Sequence, residues 1–340
     1  MKRVFIYNLD RVLLIFLLLM DEKELENITY ICYEEQKEKI QKLDGEKIYL
    51  SKKKLESSNK NEVKKYIKNI RDKITDKILK LQEKELEIYG LDQFDIGKKI
   101  FYDKNINLIE EGTKNYTYFT EKKRIKVKIL NLKQKILNII YGIKERNDIL
   151  GYGNKIGKIY LTTSLVNKIG KPLGLEKNDI EIIDLKKLWQ KKSDIFQKKI
   201  LKLFNFNEEI LERKNRENII ILTQPLCEDF DITENEQVEL YRKIIQKYPE
   251  DKILIKAHPR DKVNYNYYFP NCYTIKGNYP VEFLDFFDIK IEKAVTLFSS
   301  GVFCVGNSDT KIDFYGTEVD KRLYKIFGTQ DNIIKRNAFL

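Results

Sequence analysis

Residues 218–260 read NIIILTQPLCEDFDITENEQVELYRKIIQKYPEDKILIKAHPR. The pattern predicts an apolar strand over 218–223, an amphipathic helix over 234–248 and a second apolar strand over 252–256. Short strands that alternate with amphipathic helices are typical of α/β domains with parallel sheets. The stretch therefore predicts one strand–helix–strand unit of a parallel sheet.

The same alternation continues outward from this unit in both directions. Further strands are predicted over 3–7, 28–33, 106–109, 158–162, 180–184, 294–298 and 311–315. Further helices are predicted over 59–89, 124–141, 281–287 and from 318 onward. Two successive α/β halves of similar size predict an α/β fold class with two Rossmann-like domains that face a central cleft.

The chain length agrees with this division, because 340 residues suffice for roughly two domains of about 150 residues each. The composition is 42% hydrophobic and 12% aromatic, which provides for buried cores and excludes general disorder. We predict an N-terminal Rossmann-like domain over 1–185, a helical connector over 186–215 and a C-terminal domain over 216–340.

The charge balance is basic, with 64 Lys and Arg residues against 52 Asp and Glu residues and a net charge of +12. Such a balance predicts an anionic partner, which is a nucleic acid, a nucleotide or an anionic membrane surface. A bias in coding composition explains the same numbers equally well.

The cysteines and the N-terminal apolar run indicate whether the protein is disulfide-bonded, metal-binding or membrane-spanning. Four cysteines without C-x-x-C spacing indicate reduced thiols of a cytosolic protein rather than a zinc site or a redox pair. The run from Val12 to Met20 is far shorter than the approximately 20 residues of a membrane-spanning helix. It predicts a buried helix, and a monotopic membrane anchor is the minor alternative.

Four motifs follow predicted strands, where ligands bind to open parallel sheets. The first surrounds His258, the only histidine of the chain, so a metal site built on several histidines is excluded. Pro259 keeps His258 extended, and Lys256 and Arg260 give it a positive environment suited to a phosphate. The alternative is a turn histidine with ordinary basic neighbours.

The second motif is a candidate anion-binding site. Ser299, Ser300 and Gly301 follow a strand and predict an anion site of backbone N–H groups, with plain helix capping as the alternative.

The third motif is the acidic loop after residue 223, in which Asp229 is a candidate general base. A helix cap and a metal-chelating pair with Asp231 are the other interpretations of that loop.

The fourth motif, Glu110-Glu111-Gly112, follows the strand predicted over 106–109. Two adjacent carboxylates before a glycine can direct one acid toward a substrate, whereas a solvated turn is the plain alternative.

Taken in order, Glu110-Glu111-Gly112, Lys256-Ala257-His258-Pro259-Arg260 and Ser299-Ser300 resemble the acidic-acidic-Gly, His-Pro and Ser-Ser motifs of bacterial sialyltransferases. Together with Ile221-Leu222-Thr223-Gln224-Pro225-Leu226, they look most like glycosyltransferase family 52, the lipooligosaccharide sialyltransferases. The likeness is best over residues 215–305.

The resemblance implies a GT-B fold in which the first domain binds a glycan acceptor and the second binds CMP-sialic acid. It further implies inversion at the anomeric carbon, no cofactor, no metal requirement and a homodimer. The corresponding localisation is the cytoplasm, with peripheral association of the enzyme at the anionic inner face of the membrane.

Residue roles follow from the same resemblance. His258 is the general acid or phosphate partner of the departing CMP, and Ser299 and Ser300 hold its phosphate. The favoured general base is Asp229, and the alternative is Glu111. The remaining donor-side residues are Gln224, Lys256, Pro259, Arg260 and Gly301, and the remaining acceptor-side residues are Glu110 and Gly112.

Two other classes of function compete with sialyl transfer. The first is another GT-B transferase, which moves a hexose or acts as a CDP-glycerol glycerophosphotransferase. The second is a non-catalytic basic module that binds a membrane or nucleic acid. We expect no nucleic-acid partner, because the sequence shows no RNA-binding or zinc-finger signature and its basic residues are spread rather than clustered.

Overall fold

The computed structural model describes residues 1–116, 136, 139–146, 149–307 and 309–328. The chain divides into two compact units. Unit 1 comprises Met1–Thr163 and Lys171–Gln197, and unit 2 comprises Ser164–Gly170 and Lys198–Leu340. The helical stretch expected over 186–215 is therefore shared between the units, and most of the helix predicted over 124–141 lies outside the described residues.

Unit 1 contains a seven-stranded sheet in the order β3-β2-β1-β4-β5-β6-β7. Every neighbouring pair is parallel. The strands are β1 (Lys2–Ile6), β2 (Ile28–Tyr33), β3 (Glu46–Leu50), β4 (Leu86–Gly90), β5 (Ile106–Ile109), β6 (Ile156–Thr162) and β7 (Asp179–Ile183).

Several α-helices lie between and after these strands along the chain, and two of them, Thr163–Ile169 and Asp194–Leu203, extend into unit 2. The α-helices are α1 (Asp10–Leu19), α2 (Lys37–Ile40), α3 (Lys52–Leu55), α4 (Lys60–Ile74), α5 (Thr163–Ile169), α6 (Leu185–Gln190) and α7 (Asp194–Leu203). Two π-helical turns occupy Thr75–Leu79 and Ile96–Ile100, and 3₁₀ turns occupy Glu22–Asn27, Glu34–Gln36 and Glu83–Glu85.

The apolar run near the N-terminus forms α1, a core helix. Its residues from Val12 to Leu18 are all buried, and Phe16 stacks on Phe5 of β1 with ring centroids 4.1 Å apart. The prediction of a buried helix is confirmed. Within the described part of the chain, no helix is both long and apolar enough to cross a bilayer.

The helix predicted over 59–89 is wrong at its C-terminal end. The helix α4 stops at Ile74, and Leu86–Gly90 forms β4 between β1 and β5. Leu86 and Ile88 alternate with the less buried Glu87, a strand pattern too short to separate from the helical stripe that precedes it. Pairing with two flanking strands decides the conformation.

Unit 2 contains a five-stranded, all-parallel sheet in the order β10-β9-β8-β11-β12. Its strands are β8 (Asn218–Leu222), β9 (Ile253–Lys256), β10 (Tyr273–Thr274), β11 (Ile291–Thr296) and β12 (Lys311–Phe314). Its α-helices are α8 (Leu226–Asp229), α9 (Glu234–Ile245), α10 (Tyr265–Tyr268), α11 (Phe283–Phe286) and α12 (Lys321–Phe327), with 3₁₀ turns at Glu208–Arg213, Glu250–Lys252 and Ser300–Cys304.

The strand–helix–strand unit around 218–260 is confirmed as β8, α9 and β9. The helix α9 begins with a capping box in which Thr233 and Glu236 each bond the other's backbone N–H. Val238, Tyr241, Ile244 and Ile245 form its buried face. This amphipathic face and this cap explain why the local sequence alone predicts the helix.

Each sheet has a topological switch point at its first strand. In unit 2, β8 lies between β9 and β11. The chain therefore adds β9 and β10 on one side of β8, and then β11 and β12 on the other side. In unit 1, β1 lies between β2 and β4 in the same way. Ligands of open α/β sheets bind outside the carboxyl ends of the strands at such a point. In unit 2, those ends carry Thr223, His258 and Ser299.

Candidate active site

His258 lies in a tight turn after β9. Its backbone N–H donates to Thr223 Oγ1 at 3.2 Å, and its carbonyl accepts from Asp261 N at 2.9 Å. The ring nitrogen Nδ1 accepts from Arg260 N at 3.2 Å. Because Nδ1 is an acceptor there, the neutral imidazole carries its proton on Nε2. The turn thus presents Nε2–H as the donor of the ring.

The environment of this ring favours its neutral form. Burial lowers the pKa of His258, and the Arg260 guanidinium lowers it further. The carboxylates of Asp229, Asp261 and Glu228 act in the opposite direction without reversing the shift. At neutral pH the imidazole is therefore neutral and can donate one hydrogen bond through Nε2–H.

Ser299 follows β11 and is tied to the end of β8. Its backbone N–H donates to Thr296 Oγ1 at 3.0 Å, and that hydroxyl donates to Leu222 O at 2.9 Å. The Ser299 hydroxyl accepts from Gly301 N at 3.3 Å and caps the 3₁₀ turn Ser300–Cys304. The capping interpretation is confirmed, whereas contact with a phosphate stays a prediction.

Gly301 lies close to β8. A Cβ at this position would lie 3.1 Å from Leu222 Cδ1, so a larger residue would crowd the strand end. The loops after β8, β9 and β11 are thus bound to one another by Thr223 and Thr296. The structure brings the His-Pro and Ser-Ser motifs to one edge of the unit 2 sheet.

Lys256, the last residue of β9, meets two partners that are absent from the sequence motifs. Its Nζ lies 4.6 Å from the centre of the Tyr279 ring. Burial lowers the pKa of Lys256 to about 8, and the buried carboxylate of Glu282 opposes that shift. The only sequence signal for Glu282 is an acid inside the otherwise apolar run from Val281 to Leu284.

Asp229, the favoured base, ends α8 and forms an ion pair with Arg260. The two guanidinium NH groups each donate to one carboxylate oxygen, and the NH2–Oδ2 distance is 2.7 Å. Each carboxylate oxygen keeps a second lone pair, which is available to an acceptor hydroxyl. Gln224 in the same loop is held by its backbone N–H, which donates to Tyr241 OH at 2.7 Å.

Glu110 follows β5 in unit 1 and is completely buried. Its carboxylate accepts from Thr162 N at 3.0 Å, Thr162 Oγ1 at 2.6 Å, Tyr116 OH at 2.6 Å and Arg11 at 2.7 Å. Arg11 also donates to the Glu110 carbonyl at 2.9 Å. A solvated turn is therefore wrong for Glu110, which anchors the end of β5 to α1 and β6.

Glu111 is the more accessible acid of the pair. Its carboxylate accepts from Lys114 Nζ at 3.0 Å and from Gln93 Nε2, and 11% of its side chain is exposed. Its backbone N–H donates to Asn115 Oδ1 at 3.0 Å. Gly112 adopts φ 151° with open space beside it, so backbone conformation rather than crowding requires glycine there.

The described residues include no group of three or more His, Cys, Asp or Glu side chains placed to hold a metal ion. The carboxylate of Asp229 accepts from Arg260. The interpretation of Asp229 and Asp231 as a metal-chelating pair stays a prediction.

Comparison with known proteins places the chain in a family. The model of glycosyltransferase family 52 matches residues 15–323. The chain belongs to glycosyltransferase family 52. This family 52 glycosyltransferase is 31% identical over 332 residues to an uncharacterized protein of Haemophilus influenzae, and the match covers 96% of this chain and 98% of the relative.

Solved structures show the fold of the family 52 chain. The GT-B domain of a Photobacterium damselae sialyltransferase is similar with a TM-score of 0.58 at 16% identity, over 91% of this chain and 89% of that one. A 2,6-sialyltransferase of Photobacterium sp. JT-ISH-224 has a TM-score of 0.58 at 13% identity, over 100% and 77% of the two chains. The expected GT-B fold is confirmed.

Proposed function

We propose that this family 52 enzyme is an inverting sialyltransferase. It transfers sialic acid from CMP-sialic acid to a galactose-type hydroxyl of a lipooligosaccharide or a capsular glycan. The observation that carries the proposal is the orientation of the only imidazole, whose Nδ1 is occupied by Arg260 N, so that Nε2–H is the donor at the switch point of unit 2.

The residues suit the charge changes of this reaction. The bond between the anomeric carbon and the phosphate oxygen breaks, and negative charge grows on the phosphate of CMP. His258 Nε2–H donates to that oxygen, while the Ser299 turn and the Lys256 ammonium group stabilise the same charge. The acceptor oxygen bonds to the opposite face of the anomeric carbon, and a carboxylate takes its proton.

Two carboxylates are proposed as candidates for that proton acceptor. Asp229 lies in unit 2 and is linked to the His258 turn through Arg260. Glu111 lies in unit 1 and is held by Gln93 and Lys114. Asp229 is favoured, because its single ion pair joins it to the same loop that carries the proposed acid.

A neighbour of the same fold supports the substrate class. The 2,6-sialyltransferase of Photobacterium sp. JT-ISH-224 was solved in a ternary complex with the donor product CMP and the acceptor substrate lactose. By analogy, we assign the nucleotide to the carboxyl edge of the unit 2 sheet and the acceptor glycan to unit 1. Ser300 and Gly301 complete the proposed phosphate contacts, and Gln224, Pro259 and Arg260 line the donor side.

The test is a transfer assay with purified protein, CMP-sialic acid and lactose in the presence of EDTA. We expect CMP release and a sialylated product without added metal. Absence of CMP release with every galactosyl acceptor tested, or a strict requirement for Mn²⁺, would overturn the proposal. If the protein hydrolyses CMP-sialic acid but sialylates no acceptor tested, the assignment of the donor stands and the assignment of the acceptor is wrong.

A homodimer and peripheral association with an anionic membrane surface are part of the proposal. The net charge of +12 supports surface association, which is expected to weaken as ionic strength rises. Sedimentation equilibrium measures the oligomeric state, and co-sedimentation with phosphatidylglycerol vesicles at two salt concentrations measures the membrane association.

A further inference from the structure

Asp261 is an acidic residue at the base of the His258 turn to which no motif assigns a role. It lies three residues after His258 and its carboxylate accepts from four donors. These are Thr223 Oγ1, Tyr265 OH at 2.9 Å, Gln237 Nε2 at 3.1 Å and Val263 N at 3.1 Å. Both carboxylate oxygens thereby accept hydrogen bonds within the loop network.

The hydroxyl of Thr223 connects this carboxylate to the His258 backbone. A hydroxyl has one proton, which Thr223 donates to Asp261. Its lone pair is therefore available to the His258 N–H, which donates to it at 3.2 Å. Thr223 N also donates to Lys256 O at 3.2 Å, so two hydrogen bonds of Thr223 join the end of β8 to the segment that leads from β9 into the His258 turn.

Gln237 extends the same network to the loop of the favoured base. This glutamine of α9 is fully buried, and its Nε2 donates to both Asp261 and Tyr265 OH. Its Oε1 accepts from Cys227 N at 2.9 Å, in the first turn of α8. Every polar atom of the amide is thus assigned, and the amide can adopt only one orientation.

We propose that Asp261 is a positioning residue, which acts through Thr223 and Gln237 to set the His258 turn and α8 in one geometry. The proposal rests on the proposed function, since His258 and Asp229 are the acid and the favoured base of that reaction. Loss of the network moves both groups, and a displacement of about 1 Å can cost a reaction up to about 100-fold in rate.

The test compares Thr223→Val, which keeps the shape and removes the hydroxyl, with Thr223→Ser, which keeps the hydroxyl. The control is Thr310→Val, because Thr310 is another buried threonine of unit 2, whose hydroxyl bonds Ile291 O at 2.9 Å. We expect Thr223→Val to lower kcat by up to about 100-fold with KM for the donor changed far less. Thr223→Ser recovers most of kcat, and Thr310→Val does not lower it.

A second measurement needs no substrate, because the single histidine gives one imidazole signal in an NMR titration. The charged groups around that ring are Arg260, Asp229, Glu228 and Asp261. Thr223→Val is expected to shift the pKa and the Nε2–H tautomer population of His258, while Thr223→Ser retains both. Asp261→Asn is expected to lower the pKa of His258, since it removes a carboxylate that raises it.

Two results would overturn the positioning role. In the first, Thr223→Val leaves both kcat and the imidazole signal unchanged. In the second, Thr223→Ser and Thr310→Val lose as much kcat as Thr223→Val, which is the pattern of a merely structural residue. If the wild-type protein transfers no sialic acid, the NMR comparison alone decides, so failure of the proposed function is distinguishable.

Discussion

In unit 1 the strand β5 leads into a fully buried carboxylate, whereas in unit 2 the strand β9 leads into a half-buried imidazole. Glu110 accepts four side-chain and backbone hydrogen bonds, so its charge is fully compensated inside the protein. His258 is instead held through its backbone and Nδ1, which directs Nε2–H outward from the turn. The end of a parallel strand thus anchors its sheet in unit 1, whereas in unit 2 it carries the proposed hydrogen-bond donor to the substrate.

The largest effect is expected from His258→Ala, which removes the only imidazole. If His258 donates to the departing phosphate oxygen, transfer falls by at least about 1000-fold, the upper end for the loss of one hydrogen-bond donor to developing negative charge. Initial rates of CMP release measure the loss. The unfolding midpoint should stay close to that of the wild type, and retention of a tenth of the wild-type rate would contradict the assigned role.

The next effect separates the two candidate bases, one from each unit. Asp229→Asn is expected to lower kcat by about 1000-fold, because the amide cannot take the acceptor proton. Glu111→Gln serves as the matched variant in the same assay and is expected to lose much less. If Glu111→Gln shows the larger loss instead, the base is in unit 1 and Asp229 only orients Arg260.

The contrast predicts a stability effect for the anchoring carboxylate. Glu110→Gln leaves Arg11 without its buried partner and is expected to cost about 3 kcal/mol in the free energy of unfolding. Urea denaturation followed by circular dichroism measures this cost. Arg11→Met combined with Glu110→Gln should recover part of it, and equal stability of all variants would refute the anchoring role.

The smallest effect concerns the pH dependence of donor binding by Lys256. Because burial lowers the pKa of Lys256 to about 8, its cation is present below pH 8 and is lost as pH rises through that value. The Kd for CMP should therefore rise by about tenfold between pH 7 and pH 9, the equivalent of one charge-assisted hydrogen bond. Isothermal titration calorimetry measures the affinity.

A matched variant isolates this contribution. Lys256→Met keeps the apolar stem beside Tyr279 and removes the cation. We expect the variant to bind CMP weakly and equally at both pH values. A pH dependence that persists in Lys256→Met would assign the titration to another group.

The sequence predicts local features of unit 2 well, because they depend on neighbours along the chain. The strands β8 and β9, the helix α9 and the cap at Ser299 each follow from short-range patterns of apolar residues, caps and turns. His258 stands out because it is the only histidine and precedes a proline at a strand end.

The remaining features depend on contacts between distant residues. Arg11 meets Glu110 across 99 positions, and Arg260 meets Asp229 across 31. No local pattern distinguishes Glu110, an anchored carboxylate, from Glu111, a more accessible one. The local sequence pattern does not predict β4 for the same reason, because only pairing with β1 and β5 distinguishes this strand from the helix before it.

The edge strand β3 shows a related limit. Its residues Glu46–Leu50 are mostly half-exposed and carry two charged side chains at the start, so no apolar run marks them. Parallel pairing with β2 alone defines the strand. Edge strands with charged residues give weak sequence signals, because one side of the ladder faces no partner.

The proposed function requires that CMP binds at the carboxyl edge of the unit 2 sheet, beside His258. An NMR titration of the single imidazole with CMP tests it most directly, with UMP and CDP-glycerol as the competing nucleotides. We expect a saturable shift of the His258 signal with CMP and much weaker shifts with UMP and CDP-glycerol. Tighter binding of UMP or CDP-glycerol, or CMP binding that leaves the imidazole signal unmoved, would contradict it.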